Sequence, residues 1–310
     1  MSQNQTLPIN IDLPDGFLDE EIRCDYKISS CQKKIWAIQL DMYNLISRIC
    51  EKYDIKFCVY WGTLLGAIRH NGFIPWDDDF DICMDRNNYE KFVSIPQEEF
   101  GEPYFLQTAL TDRKFFLPMA RLRNSLTTGA IAGMLSKDYN NGIYIDIYPM
   151  DGMLDNKLAR TVQLFLLHLA IQPVSSYYME KFPKGINGLA KRIIKLFSHL
   201  MPYKFWHGLF DMILKCPTKW CTKLAYICLF TQTAMRAYIL KEEIGNLNEV
   251  QFEFGKVIAP CAAGKILSRI YGDYMKFPPV EKRGIWHAGK LILDPDTPYK
   301  EYFFNHGITE

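Results

Sequence analysis

A cluster of four aspartates among apolar residues constrains this chain more than any other feature. The segment reads Phe73-Ile74-Pro75-Trp76-Asp77-Asp78-Asp79-Phe80-Asp81-Ile82. Unpaired charges are costly to place among apolar side chains, so acids in such surroundings indicate a functional site rather than an acidic surface loop. In an extended segment, side chains alternate between faces. We therefore expect Asp77, Asp79 and Asp81 on one side and Asp78 on the other.

Three carboxylates on one face would repel each other unless a cation neutralises them. Hard oxygen ligands suit Mg²⁺ or Mn²⁺, and Mg²⁺ usually takes one or two carboxylates together with water and substrate phosphate oxygens. We predict Asp79 and Asp81 as metal ligands and Asp77 as a third. This arrangement is typical of phosphoryl transfer, which requires in-line positioning and charge neutralisation.

A phosphate site is predicted just before the acids. The residues Ile55 to Tyr60 have the pattern of a strand, and a helix is expected from about Leu64 to Arg69. The N–H groups at the start of such a helix bind phosphate. Gly62 and Thr63, at this junction, are the predicted phosphate-binding residues; for Gly62 the alternative is an ordinary turn glycine.

Arg121 and Arg123 are predicted to lie on one face of a strand, two residues apart. There they would present two guanidinium groups to a diphosphate. Exposed arginines on a surface strand are the alternative.

The stretch from Gly62 to Asp81 resembles the LicD-type transferases, a branch of the nucleotidyltransferase superfamily that includes bacterial phosphocholine transferases and the fukutin-related proteins. Three further segments agree with this resemblance, in the order that the family shows: Arg121-Leu122-Arg123-Asn124-Ser125, Gly142-Ile143-Tyr144-Ile145-Asp146-Ile147-Tyr148-Pro149-Met150-Asp151-Gly152, and Tyr271-Gly272-Asp273-Tyr274-Met275-Lys276-Phe277-Pro278-Pro279-Val280-Glu281-Lys282-Arg283. The matching positions extend from about residue 55 to about residue 290.

The resemblance implies further site residues. It places Asp146 with the other acids, either as a metal ligand or as the base that receives the acceptor's proton; the alternative is a surface aspartate at a strand edge. Arg283 and His287 resemble basic positions that bind phosphate or acceptor, or else anchor the tail. Arg69 and His70, within the first motif, complete the predicted substrate-binding set. Asp151 is expected only to shape a turn.

The function implied by the resemblance is transfer of phosphocholine, or a related phospho-alcohol, from a CDP-linked donor such as CDP-choline to a sugar hydroxyl of a cell-surface glycan. Lipopolysaccharide and teichoic acid are glycans of this kind, the acceptor can be lipid-linked, and CMP is released. Two alternatives stay open: a nucleotidyltransferase that attacks the α-phosphorus of a nucleoside triphosphate and releases pyrophosphate, and a non-catalytic partner in glycan processing. Choline calls for aromatic rings around its ammonium group. The candidates, which core packing would explain equally well, are Trp61, Trp76, Tyr144 and Tyr148.

Charge and cysteine usage limit the partners and the compartment. The 310 residues include 36 basic and 35 acidic side chains, so the net charge of +1 favours no nucleic acid as a partner. The polar start of the chain does not resemble a secretory signal. The nine cysteines form no C-x-x-C pair, which argues against a zinc site and a disulfide framework. We expect a cytoplasmic protein, either free or at the inner face of the membrane.

Periodicity predicts an α/β (α+β) fold, with a mixed β-sheet core flanked by helices and a large helical insertion. The resemblance implies that this core is nucleotidyltransferase-like. An amphipathic helix from Ser29 to about Tyr53, capped by its first serines, is followed by strands and by a helix near Tyr89–Val93. Other expected elements are strands at 104–107, 118–123 and 144–148 and a helix near 262–270. The predicted domains are a catalytic core at 25–155, a helical region at 156–245 and a C-terminal segment at 246–310 that packs back on the core.

Two segments of the helical region raise the question of membrane contact. The apolar run Val162–Ile171 is shorter than the ~20 residues of a membrane span, so we expect a buried helix. A short basic amphipathic helix is predicted around residues 184–197, with its basic face in solvent; contact with an anionic membrane is the alternative. Its basic residues are Lys184, Lys191, Arg192 and Lys195, opposed by Ile193, Ile194, Leu196 and Phe197.

Overall fold

The computed structural model describes residues 7–112, 115–131, 139–179, 182–226, 237–284 and 291–306. Its α-helices are α1 (Ser30–Lys52), α2 (Trp61–His70), α3 (Arg86–Val93), α4 (Lys157–Tyr177), α5 (Ile186–Ser198), α6 (Tyr203–Lys215), α7 (Lys241–Ile244), α8 (Ala263–Tyr271) and α9 (Tyr299–Asn305). Its strands are β1 (Glu21–Arg23), β2 (Tyr26–Ile28), β3 (Cys58–Val59), β4 (Asp81–Asp85), β5 (Tyr104–Gln107), β6 (Ala120–Asn124), β7 (Thr128–Ile131), β8 (Ile143–Met153), β9 (Lys223–Ala225), β10 (Tyr238–Leu240), β11 (Leu247–Phe252), β12 (Gly255–Pro260) and β13 (Leu291–Asp294).

A mixed sheet of seven strands forms the centre of the fold, which confirms the predicted α/β class. Its path runs β10-β9-β8-β4-β3, and β6 pairs with both β8 and β5. The long strand β8 is parallel to β4 and antiparallel to β6, and its last three residues pair with β9. Strand β8 therefore lies between the strand that begins at Asp81 and the strand that carries Arg121 and Arg123.

Helix α1 forms as predicted and supports the acidic segment from behind. The Ser29 hydroxyl accepts a hydrogen bond from the Gln32 N–H at 3.2 Å, which caps the helix. The fully buried Trp36 stacks on Phe73, with ring centroids 4.7 Å apart and planes within 5° of each other. Phe73 in turn contacts Phe80 edge-on. The apolar residues around the aspartates are thus core residues.

The start of α2 differs from the sequence prediction. The helix begins at Trp61, three residues before the expected Leu64, and β3 is shorter than the expected strand. The Thr63 hydroxyl accepts a hydrogen bond from the Asp81 N–H at 2.8 Å, so the first turn of α2 is tied to the start of β4. Gly62 and Thr63 consequently lie inside that turn and not before it.

A second, smaller apolar cluster lies in the helical region, where α4 packs on α6 and also on α5. The prediction that the run Val162–Ile171 is buried is wrong for half of the helix. Leu167 is fully buried, whereas Phe165 is 60% exposed and Leu169 50%. The reason is geometric, because α5 and α6 together leave one face of α4 uncovered. None of the helices in the described residues has the length and apolar character needed to cross a bilayer.

The orientation of α5 is the reverse of the prediction. Its lysines face α4: the Lys191 ammonium donates to the Gln172 side chain at 2.7 Å, and the Lys195 ammonium donates to the Met179 carbonyl at 2.8 Å. Its apolar residues face outward, and Leu196 is 77% exposed. Polar partners on α4 therefore determine which face of α5 is inside.

The C-terminal segment contacts the catalytic core through α8. Ile266 and Leu267 of α8 are fully buried in the main apolar cluster, and α8 packs against α2. The boundaries of the predicted domains remain predictions.

Candidate active site

Three charged side chains lie in a row across the central sheet. Asp81 on β4 is the register partner of Asp146 on β8, and Asp146 is also the partner of Arg121 on β6. Side chains at paired positions project to the same face of a sheet. The Arg121 Nε donates to Asp146 Oδ1 at 2.6 Å, and the Tyr148 hydroxyl donates to Asp146 Oδ2 at 3.2 Å. Asp146 is therefore held in one orientation from two sides, and it is not a surface aspartate.

The acidic segment before β4 is held by side chains of α1. The Gln32 amide donates to the carbonyls of Pro75 and Asp77 at 2.9 and 3.1 Å. The Gln39 amide donates to the carbonyl of Asp78 at 2.9 Å. Sequence analysis missed both glutamines, although a signal existed: Gln39 lies on the apolar face of α1 and is only 2% exposed.

The first turn of α2 contacts the carboxylates directly. A Cβ at Gly62 would lie 2.6 Å from Asp77 Oδ2 and 3.9 Å from Asp79 Oδ1. Glycine at this position therefore permits the close approach of the acids to the helix N-terminus, whose dipole stabilises negative charge. Phosphate binding by Gly62 and Thr63 remains a prediction.

The aspartates raise one another's pKa values through charge repulsion. Burial, and then the charges of Asp77 and Asp81, raise the pKa of Asp79 well above its ordinary value. Burial, and then the charges of Asp146 and Asp77, do the same to the pKa of Asp81. Asp81 Oδ1 is also buried without a hydrogen-bond partner. The four predicted carboxylates are thus gathered in one place, and the excess negative charge there favours binding of a cation.

The donors present fit a hard divalent cation that is bound together with a substrate. Among the described residues, no three histidine, cysteine or carboxylate side chains form a ready-made metal cage. Mg²⁺ does not need one, because one or two carboxylates with water and phosphate oxygens complete its shell. Asp79 and the unpartnered oxygen of Asp81 meet that requirement. Metal ligation by Asp77, Asp79, Asp81 and Asp146 remains a prediction.

The two arginines of β6 share a face, as expected, but both are buried, so the alternative of exposed surface arginines is wrong. Both guanidinium groups contact the Tyr144 ring, at 4.0 Å for Arg121 and 4.7 Å for Arg123. Arg123 also donates to the Gln107 side chain at 2.6 Å and to the Gly142 carbonyl at 2.6 Å. Burial acts to lower the pKa of Arg121, but Asp146, together with Tyr144 and Tyr148, reverses this effect and raises the pKa of the guanidinium. Arg121 is thus part of the charged row, and substrate binding by either arginine remains a prediction.

Arg69 and His70 connect α2 to the C-terminal segment. The Arg69 guanidinium donates to the Tyr274 carbonyl at 2.8 Å and to His70 Nε2 at 2.9 Å. The His70 ring stacks on Phe277 at 5.3 Å. Burial and the neighbouring Arg69 lower the pKa of His70 to about 4, so the ring is neutral near pH 7. These contacts anchor the segment, and substrate binding by the two residues remains a prediction.

Arg283 also anchors the C-terminal segment, through contacts with other residues. Its guanidinium lies 4.6 Å from the centre of the Trp76 ring and donates to the Cys24 carbonyl at 2.7 Å. His287, the other predicted C-terminal site residue, lies outside the described residues. Substrate binding by either remains a prediction.

Aromatic rings surround the acids on one side. The Tyr148 ring packs against Tyr226 with centroids 4.8 Å apart. The Tyr271 hydroxyl also interacts electrostatically with the acids: burial, and then the charges of Asp77 and Asp81, raise its pKa. Of the four predicted aromatic candidates, Tyr148 is thus next to the acids, Tyr144 is covered by the arginines of β6, Trp76 is covered by Arg283, and Trp61 contacts Tyr60. Sequence analysis missed Tyr271, although it begins the motif that extends from Tyr271 to Arg283. It also missed Tyr226, for which the sequence gives no signal.

Asp151 does not merely shape a turn. It lies in β8, is 1% exposed and forms a two-pronged ion pair with Arg86 at the start of α3. Arg86 also contacts Asp211 on α6 at 3.3 Å. This buried cluster joins the sheet to the helical region.

Comparison with known proteins finds similar sequences that include the part of the chain that holds this site. Residues 54–167 match the family described as LicD/FKTN/FKRP, nucleotidyltransferase domain. The chain is 29% identical over 256 residues to the lipopolysaccharide cholinephosphotransferase LicD of Haemophilus influenzae, which covers 82% of this chain and 95% of the relative. It is 40% identical over 83 residues to an uncharacterized protein of Rickettsia prowazekii, which covers 26% of this chain and 29% of that protein. The charged row and the other acids all fall inside the matched residues 54–167.

Proposed function

We propose that this chain is a LicD-type transferase, which transfers phosphocholine from CDP-choline to a sugar hydroxyl of lipopolysaccharide and releases CMP. The match of residues 54–167 to the LicD/FKTN/FKRP family and the 29% identity to LicD support this proposal. A related phospho-alcohol on the same CDP carrier is the nearest variant of this donor. The observation that carries the proposal is the row of Asp81, Asp146 and Arg121, with Asp79 beside it, on one face of the sheet inside the family-matched residues.

In the proposed reaction, the acceptor oxygen attacks the phosphorus that bears choline. A new oxygen–phosphorus bond forms, the bond to the CMP oxygen breaks, and CMP leaves with that electron pair. The acceptor proton passes to the carboxylate of Asp146. Arg121 and Tyr148 support this role because their hydrogen bonds orient both oxygens of that carboxylate. A positioned base of this kind contributes about 10²–10⁴-fold to the rate.

Asp79 and Asp81 are the proposed ligands of Mg²⁺ or Mn²⁺. When bound, the metal neutralises charge on the phosphate oxygens. The upward pKa shifts of these two acids support the assignment, because a bound cation would stabilise both ionised carboxylates against the burial and the mutual repulsion that cause the shifts. The N–H groups of the first turn of α2, at Gly62 and Thr63, are the proposed contacts for the donor's phosphates.

Tyr148 and Tyr226 are the proposed contacts for the quaternary ammonium of choline. Aromatic faces attract such cations electrostatically. The two rings adjoin each other, and the hydroxyl of Tyr148 contacts Asp146. The choline would therefore lie next to the phosphorus under attack.

The test is product analysis. The protein is incubated with Mg²⁺, CDP-choline and lipopolysaccharide, and separately with CTP and the same acceptor; CDP-ethanolamine serves as a second CDP-linked donor. We expect CMP from a CDP-alcohol, with an equal amount of phospho-alcohol on the lipopolysaccharide. Pyrophosphate from CTP, with no CMP from either CDP-alcohol, would overturn the proposal in favour of an ordinary nucleotidyltransferase. The Asp81→Asn variant serves as the inactive control.

A further inference from the structure

Helix α5 exposes its apolar face and buries its polar one. The exposed apolar side chains recur every three or four residues, so they form one stripe along the helix. They are Ile186 (85% exposed), Leu189 (59%), Ile193 (60%), Leu196 (77%) and Phe197 (53%). A helix on the surface of a globular domain normally turns such a stripe toward the core. The arrangement here leaves a continuous apolar surface without a partner within the described residues.

Specific contacts hold α5 in this orientation. Lys191 and Lys195 bind acceptors on and just after α4, and the buried Gly188 lies so close to the Pro183 carbonyl that a Cβ there would be only 1.8 Å from the oxygen. Rotation of the helix would break these contacts. The outward direction of the stripe is therefore built into the packing of α4 against α5.

The neighbouring helix α4 has an exposed apolar face of its own. Five of its apolar side chains are also exposed: Leu158 (74%), Val162 (49%), Phe165 (60%), Leu166 (47%) and Leu169 (50%). Exposed apolar area of this extent is unusual for a protein surface that meets only water.

The sequence of this region has a strongly one-sided charge. Residues 156–210 contain one acidic residue, Glu180, and eight basic residues: Lys157, Arg160, Lys181, Lys184, Lys191, Arg192, Lys195 and Lys204. This segment therefore carries a net charge of +7, whereas the whole chain carries +1. Arg192 and Lys184, at the edges of the apolar stripe, are exposed. Two copies of such a surface would repel each other, while an anionic surface would be attracted.

We propose that α5 docks on an anionic lipid bilayer and lies in the plane of its interface, with the stripe from Ile186 to Phe197 inserted among the lipid chains. Apolar insertion combined with basic residues at the headgroups is the physical basis of such binding. The helix has 13 residues and is about 20 Å long, too short to span the hydrocarbon core. It therefore lies on the bilayer and does not cross it.

The experiment measures co-sedimentation of the purified protein with vesicles. One set contains phosphatidylcholine with about a third phosphatidylglycerol, which gives the anionic surface, and the other contains phosphatidylcholine alone. We expect binding to the anionic set at least tenfold stronger than to the neutral set, and weaker binding at high salt. The vesicles contain neither glycan nor nucleotide, so the result does not depend on the proposed function.

A double variant, Ile193→Glu with Leu196→Glu, tests the stripe. Both side chains are exposed, so the fold is expected to be retained, which circular dichroism and the melting temperature verify. We expect at least a tenfold loss of vesicle binding. The matched controls are Ile22→Glu and Phe304→Glu, which place the same charge at apolar positions that are 78% and 86% exposed elsewhere on the protein. They are expected to bind like the wild type.

Two outcomes would overturn the proposal. One is wild-type protein that does not bind anionic vesicles, or a folded double variant that binds them as well as the wild type. The other is a stable dimer in lipid-free sedimentation that the double variant abolishes, because the stripe would then be an interface between two copies of this chain.

Discussion

Replacing Asp81 by Asn is expected to impair function and to stabilise the metal-free protein. The change preserves shape and removes one negative charge from a side chain that is 5% exposed. The backbone stays fixed, because the Asp81 N–H donates to Thr63 and its carbonyl accepts from the Tyr60 N–H at 2.9 Å. Loss of metal binding removes charge stabilisation worth several kcal/mol. Since each 1.36 kcal/mol is tenfold in rate, we expect turnover to fall by at least ~10²-fold.

The effect on stability has the opposite sign. Burial and Asp146 raise the folded-state pKa of Asp81 above its unfolded value. For each unit by which the folded-state pKa exceeds the unfolded one, the ionised carboxylate destabilises the fold by about 1.4 kcal/mol near neutral pH. In chelator, Asp81→Asn should therefore melt at least about 2 °C above the wild type. The gain in melting temperature should shrink as the pH falls toward the ordinary pKa of a carboxyl group, because the carboxylate of the wild type is then increasingly protonated in both the folded and the unfolded state.

Thermal melts in chelator between about pH 8 and about pH 5 measure this difference, and initial rates with CDP-choline and Mg²⁺ measure turnover. Asp54→Asn is the matched control: Asp54 is exposed and has a left-handed backbone (φ 49°) that asparagine also accepts. We expect this control to behave as wild type in both assays. An Asp81→Asn protein that melts below the wild type at every pH, or that turns over normally, would refute the reasoning.

Three further changes have distinct expected results. If Asp146 is the base, Asp146→Asn should abolish transfer but leave the affinity for the donor within a few-fold of wild type, as measured by calorimetry with Mg²⁺ and a non-hydrolysable donor. Loss of both transfer and donor affinity would assign Asp146 as a metal ligand, and full activity would remove it from the site. Arg123→Ala should lower the free energy of unfolding, measured by denaturant titration, by about 2–5 kcal/mol, because buried acceptors lose their donor. Arg48→Ala, at an exposed position, should change that free energy little. Equal stability of the two variants would contradict the role of Arg123 as a buried anchor. Gly62→Ala should displace the Asp77 carboxylate, which would lie 2.6 Å from the new Cβ, and should raise the KM for the donor at least several-fold. Gly208→Ala, whose Cβ meets open space, should leave this KM unchanged. Equal KM values would mean that the close approach of Asp77 to Gly62 is unimportant.

Sequence reasoning could locate the acid cluster because the relevant signals are local. Alternation along an extended segment predicts that Asp79 and Asp81 share a face, and the apolar neighbours predict burial. The cap at Ser29 and the helix that follows it depend on neighbouring residues in the same way. Asp146 lies far along the chain, and its place beside the others came from the resemblance and not from periodicity.

Contacts between distant segments were not accessible from the sequence. Gln32 and Gln39 bind an acidic segment about 40 residues further along, and nothing in a helical pattern names such partners. The period of α5 predicts an amphipathic helix, but which face is inside depends on polar acceptors such as Gln172 on α4. The same limit applies to Arg123, whose burial follows from carbonyls on neighbouring segments.

Transfer of an intact phosphocholine group is tested most directly with a doubly labelled donor. CDP-choline is labelled with one isotope in the phosphorus next to choline and with a second isotope in the choline methyl groups, and is incubated with the protein, Mg²⁺ and lipopolysaccharide. We predict that both labels appear on the lipopolysaccharide in equal amounts, with an equal amount of unlabelled CMP, and that Asp81→Asn transfers neither label. Labelled phosphorus retained in the nucleotide product, or choline released without it, would contradict attack at that phosphorus.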